Sequence, residues 1–185
     1  MKHMKMTLVS ALLFSAQAFA GGVELFGLPL ATAERAQMRA ALKQNAVPAL
    51  REDDMYWVDN YDPSQKLDEA SRLSIGYEGK TSKFAYATYT FESFMDTDQV
   101  KRVVTRVSQK YGKPTRIGGS WELGPVKAIW NMPDNIEIEV SREWPSTTTL
   151  LTYTHRKHYQ AMQTEIRTTQ QSREREKTAR QSNAF

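Results

Sequence analysis

Residues 96–114 read DTDQVKRVVTRVSQKYGKP, and this stretch decides the kind of fold the chain makes. Val100, Val103, Val104, Val107 and Tyr111 share one face at helical spacing, while Lys101, Arg102, Arg106 and Lys110 take the other. Asp96 is placed to cap the first turn, with Gln99 three residues on to reach back, a variant of the capping box. Gly112 permits a left-handed stop and Pro114 forbids continuation, so the spacing predicts a helix over Asp96 to Tyr111. Valine is a poor helix former. Four of them on one face imply that burial against a sheet supplies the stability.

Strand signals lie on both sides of that helix. Met55 to Tyr61, Arg72 to Tyr77 and Phe84 to Phe91 precede it, all rich in aromatic residues and separated by Asp62-Pro63-Ser64 and Glu78-Gly79-Lys80 turns. Val126 to Asn131, Ile136 to Ser141 and Thr147 to Tyr153 follow it, with Arg116 to Trp121 as a further candidate. Ile136, Ile138 and Val140 alternate with Glu137, Glu139 and Ser141, which gives one buried and one wet face. A second helix is expected over Ala33 to Gln44, with Thr32 as N-cap and Asn45 as terminator. The order helix, strands, helix, strands predicts an α+β fold: two helix-plus-antiparallel-meander units packed together, 21–95 and 96–154, repeating a pattern rather than a sequence. The arrangement is similar in architecture to small exported inhibitor and assembly-factor domains built from such units.

From His155 the chain turns helical again, with Tyr159, Met162 and Ile166 as a narrow apolar stripe. Beyond Arg167 the apolar residues nearly vanish, and 168–182 reads as a frayed, solvated helix. Residues 155–185 form this C-terminal polar helix and charged tail.

The other end carries an address. Lys2 and Lys5, the apolar run Met6 to Phe14 and the Ala18-Phe19-Ala20 ending are those of a secretory signal peptide, residues 1–20, cleaved before Gly21. The run is shorter than the roughly 20 residues a membrane span needs. The signal's length is bacterial, which points to the periplasm, with secretion to the medium as the alternative. The chain has no cysteine, so neither disulfides nor a lipid-attachment cysteine enter the expectation.

Charge is unevenly distributed. Without the two leader lysines the formal charge falls from +4 to +2, and His155 to Phe185 carry +4 of it, leaving the body at −2. A basic face of the kind that binds nucleic acid is therefore not expected. The tail's balance suits at most weak peripheral contact with anionic lipid.

Candidate chemistry is sparse. His155 and His158 share a helix face, but Arg156 and Lys157 between them and the missing further ligands speak against a metal. The acidic stretches Glu52-Asp53-Asp54, Asp59 with Asp62, and Asp96 with Asp98 lack a calcium loop's ligand count and are read as turns and caps. A carboxylate pair such as Glu137 and Glu139 has the chemistry of an acid and base, but alternation on the wet face of a strand accounts for them. No cofactor, metal or catalytic residue is expected. Aromatic residues on the strands are the remaining lead: Tyr86, Tyr89, Trp130 and Trp144 are the candidate partner-binding residues, although a core is the commoner use of any one such ring. The sequence thus points to an exported, non-enzymatic binding or accessory protein with a protein partner in the cell envelope. The alternatives are a cell-envelope enzyme with a carboxylate mechanism and a small-ligand or glycan binder.

Overall fold

The computed structural model describes residues 22–182, so the expected leader with its cleavage point and the last three residues lie outside them. The chain opens with a small hairpin, β1 (Glu24–Leu25) and β2 (Leu28–Pro29), turned by Phe26 and Gly27, both at positive φ. Then follow α1 (Arg35–Gln44), β3 (Ala49–Arg51), β4 (Val58–Tyr61), β5 (Ala70–Tyr77) and β6 (Phe84–Phe91). The second unit repeats the order with α2 (Gln99–Tyr111), β7 (Arg116–Gly119), β8 (Val126–Asn131), β9 (Ile136–Arg142) and β10 (Thr149–His155), and α3 (Arg156–Ser182) ends the described chain. The fold is α+β, with antiparallel strands throughout.

The two meanders make one eight-stranded sheet in the order β3-β4-β5-β6-β10-β9-β8-β7. Their last strands join them: β6 pairs β10 from Phe91↔Thr149 to Tyr86↔Thr154. Alternation then sorts the side chains into two faces. Leu73, Ile75, Ala87, Tyr89, Tyr153, Ile138 and Trp130 are buried on one face in a single core that also takes in Met38 and Leu42 of α1 and Val100, Val103, Val107 and Tyr111 of α2. The opposite face is a polar row, Asn60, Ser74, Thr88, Thr152 and Glu139, directly paired across five strands. There α3 lies over β5, β6 and the end of β10, burying Met162 and setting Tyr159 edge-on to Tyr86 at 5.7 Å. Gly76 makes room for this, since a Cβ there would meet the Tyr86 ring at 2.1 Å.

Several boundaries differ from expectation for local reasons. The N-cap of α1 is Glu34 rather than Thr32, in a capping box with Gln37 whose Oε1 accepts the Glu34 N–H at 3.0 Å. In α2 the N-cap is Asp98. Asp96 stands outside the helix, accepting the Asp98 N–H at 3.0 Å and pairing with Arg102 at 2.6 Å. Val104 is only partly buried, because the buried stripe runs through Val100, Val103 and Val107. The tail is helical to Ser182 and exposed beyond Thr169.

Candidate interaction surface

Three loops gather at one end of the sheet: residues 92–98 after β6, 120–125 before β8 and 143–148 between β9 and β10. Arg142 holds them. Its side chain is 1% exposed, and its Nε, Nη1 and Nη2 donate to the carbonyl oxygens of Gly124, Thr97, Ser120 and Trp121 at 2.7–3.2 Å. A buried guanidinium needs most of its five donors satisfied, and here loop carbonyls do it. A second tie joins the first and third loops: Thr147 Oγ1 bonds to the Ser93 hydroxyl and accepts the Met95 N–H at 3.1 Å.

On this frame the backbone turns four large apolar side chains outward. Phe94 is 87% exposed, Met95 85%, Leu123 65% and Trp144 48%. Phe94 and Met95 are consecutive non-glycine residues in the left-handed region, at φ 43° and 77°. Each such residue costs roughly 1–2 kcal/mol relative to the right-handed form, so the loop opposes its own local preference to display both side chains.

The sequence candidates divide accordingly. Trp144 belongs to this surface. Trp130 and Tyr89 do not: both sit in the core, where Trp130 Nε1 donates to Gly112 O at 2.8 Å and closes the C-terminus of α2. Burial also pushes the Tyr89 hydroxyl pKa upward. Tyr86 is half-buried beneath Tyr159 of α3. The sheet face away from the core is therefore polar rather than aromatic, and Trp144 lies in a loop. Phe94, Met95 and Leu123 went unnoticed as candidates. The readable signal was an apolar pair set inside the polar run Glu92 to Asp98.

The opposite end of the sheet is polar. Asp59 of β4, fully buried, accepts from Nε and Nη2 of both Arg35 and Arg39 at 2.6–3.1 Å. Burial raises its pKa, but the two guanidiniums outweigh burial and hold it below the ordinary value of 3.8. Beside this cluster a cleft of about 560 Å³ opens between Asp54–Trp57, the β5–β6 hairpin and α3. Glu165 of α3 crosses its rim, accepting the Gly79 N–H at 2.6 Å and the Trp57 Nε1–H at 3.3 Å. Close by, the His155 and His158 rings stack at 3.6 Å, and His158 Nδ1 meets the Phe84 carbonyl at 2.9 Å. Burial first, then its charged-form repulsion with His158, lowers the His155 pKa.

The acidic stretches serve structure. Asp62 accepts the Ser64 N–H, and Glu52 accepts the Tyr61 hydroxyl. Glu137 and Glu139 are paired to Arg156 at 2.9 Å and Lys127 at 3.0 Å. Among the described residues no group of three or more His, Cys, Asp or Glu is placed to hold a metal, and no helix is long and apolar enough to cross a membrane.

No protein-family model and no curated protein matches the chain. Among solved structures it is similar to a DUF4309 family protein (YjgB) from Bacillus subtilis, at 13% identity and a TM-score of 0.43, over 74% of this chain and 89% of that one. Nothing about function is carried over from a likeness of that degree.

Proposed function

We propose that this is an exported, non-enzymatic binding or accessory protein that acts by docking a partner protein on the loops at the Arg142 end of its sheet. One observation carries the reading: Phe94 and Met95 are held in solvent by a left-handed backbone that two hydroxyls and a buried arginine keep in place. Backbone strain that displays large apolar groups is concentrated at functional sites, and exposed aromatic clusters serve as interface anchors. The carboxylates weighed as acid and base, Glu137 and Glu139, are each tied to a cation, which favours binding over catalysis. The leader sequence supports export to the periplasm, and the basic tail suits a secondary, salt-sensitive contact with an anionic surface.

A Phe94→Ser, Trp144→Ser double variant tests the docking claim. It should melt within a few degrees of the parent and lose saturable partner binding in envelope extracts. Retained binding sinks the assignment of this surface. Edman sequencing of protein from fractionated cells should begin at Gly21, and an unprocessed chain accumulating with cytoplasmic markers refutes export.

The cleft favours a second reading, a small-ligand binder, because Tyr56, Trp57 and Arg35 converge on it. Melting shifts across a panel of glycans and small organic acids, lost in Trp57→Ala, would support it. No shift would leave the cleft structural.

A further inference from the structure

The docking loops carry a charge pattern of their own. Segments 92–98, 120–125 and 143–148 contain Glu92, Asp96, Asp98, Glu122 and Glu143, and not one Lys or Arg. Part of this charge is spent within the molecule: Asp96 pairs with Arg102 of α2, and Asp98 and Glu122 with Lys101. No ion pair to Glu92 or Glu143 occurs among the described residues, and both are exposed, Glu143 next to Trp144 and Glu92 two residues before Phe94. Lys101 and Arg102 at the base of the loops are engaged by Asp98, Glu122 and Asp96, and Arg142 is buried with its donors turned to carbonyls, so Glu92 and Glu143 keep their charge at the surface. The result is an apolar centre flanked by acidic side chains, while the chain's positive excess lies in α3 as a whole.

We infer that the partner is a protein presenting an apolar pocket ringed by lysine or arginine. This rests on the docking reading above and names the chemistry of what docks. An apolar anchor gives affinity at a desolvated centre, and rim charges of opposite sign steer encounter and reject wrong partners. An anionic membrane fits the apolar centre but is repelled by the acidic side chains beside it. A second copy of this chain offers little at the basic end of α3, whose exposed stretch Arg173 to Arg180 has no apolar group larger than Ala179, but its cleft sets Arg35 and Lys80 beside Met55, Tyr56 and Trp57, so homo-association is one outcome the experiment must separate.

The experiment places a photo-reactive benzoylphenylalanine at position 94 in the full-length chain, in the cells that make it. It is repeated with Glu92→Lys and Glu143→Lys together. Both exposed glutamates lie outside the packed core, so melting of the double variant should stay within a few degrees of the parent. The expected result is a single protein adduct whose crosslinked surface is basic. Its yield should fall at least tenfold with the charge reversal and several-fold in 0.5 M NaCl. An adduct of unchanged yield in the double variant, or one mapping to an acidic surface, overturns the inference while leaving docking intact. A self-adduct overturns it in favour of homo-association. Binding of the purified protein to phosphatidylglycerol vesicles, lost on Phe94→Ser, overturns it in favour of a membrane. Absence of any adduct from position 94, and from the same probe placed at position 144, removes the docking reading and the partner chemistry with it.

Discussion

Each end of the sheet is organised around one buried charge, and the two are neutralised in different ways. At the loop end Arg142 donates to backbone carbonyls, so a cation is solvated by dipoles that two loops supply. At the cleft end Asp59 is solvated by two whole cations from one helix, Arg35 and Arg39. The difference is one of what gets fixed. A guanidinium spread over loop carbonyls shapes loops that lack secondary structure of their own. A carboxylate gripped by residues four apart docks a helix, because Arg35 and Arg39 share a face of α1. The loop end is thereby rigid in frame and apolar in display, and the cleft end is an interlocked polar body.

The largest expected effect breaks the cleft end. Asp59→Leu leaves two mostly buried guanidiniums with only the exposed Asp54 as an anion, and should cost about 3 kcal/mol in urea unfolding. A loss under about 1 kcal/mol would mean that α1 docks through Met38 and Leu42 alone. Arg142→Met comes next. It abandons four carbonyls that have no further ordering partner, for a cost of about 2–3 kcal/mol. Its second signature separates the ends: docking on the Phe94 loop should fail before the fold does, whereas Asp59→Leu should weaken fold and docking together.

Acid should also distinguish the ends. Asp59, held below 3.8, contributes stability that is complete above that value and is lost as pH falls through its folded pKa. His155 acts earlier. Its folded pKa lies under the ordinary 6.5, so below pH 6.5 the unfolded chain takes the proton first and stability declines until the folded value is reached. Protonation also removes the Nδ1 lone pair that accepts the His158 N–H at 3.3 Å. His155→Gln should flatten the slope of stability below pH 6.5. An unchanged slope assigns it to other groups. The smallest effect sharpens the loop end: Met95→Gly relieves a left-handed residue and should raise stability by about 0.5–1 kcal/mol while weakening docking. A destabilised variant would show that the Met95 side chain packs rather than displays.

How much of this was legible depends on whether the signal is periodic. The valine face of α2 and the alternation of Ile136, Ile138 and Val140 repeat often enough to be read, and the two meanders followed from them. The strand β3 was missed because Ala49-Leu50-Arg51 is three residues long, exposed, and paired only along the sheet edge. Aromatic rings gave class but not side: Trp130 and Trp144 look alike in sequence, and only the pairing of β8 with β9 buries the first. The seam between β6 and β10 joins residues far apart in the chain and leaves no local trace. The display of Phe94 and Met95 rests on a violated local preference, which no pattern of helix or strand announces.

That seam has a consequence for the order of assembly. Each meander closes through neighbouring strands and short turns, so its contacts form quickly, whereas β6 waits for β10 at the far end of the second unit. Until Thr149 to His155 has been synthesised, the run Phe84 to Phe91 presents a bare edge of strong β-formers, FAYATYTF, without a single charge. The first half is accordingly the vulnerable nascent species. Chains truncated after Pro145 should aggregate through that edge, and pulse-labelled amide exchange during refolding should find the β6–β10 bonds protected last.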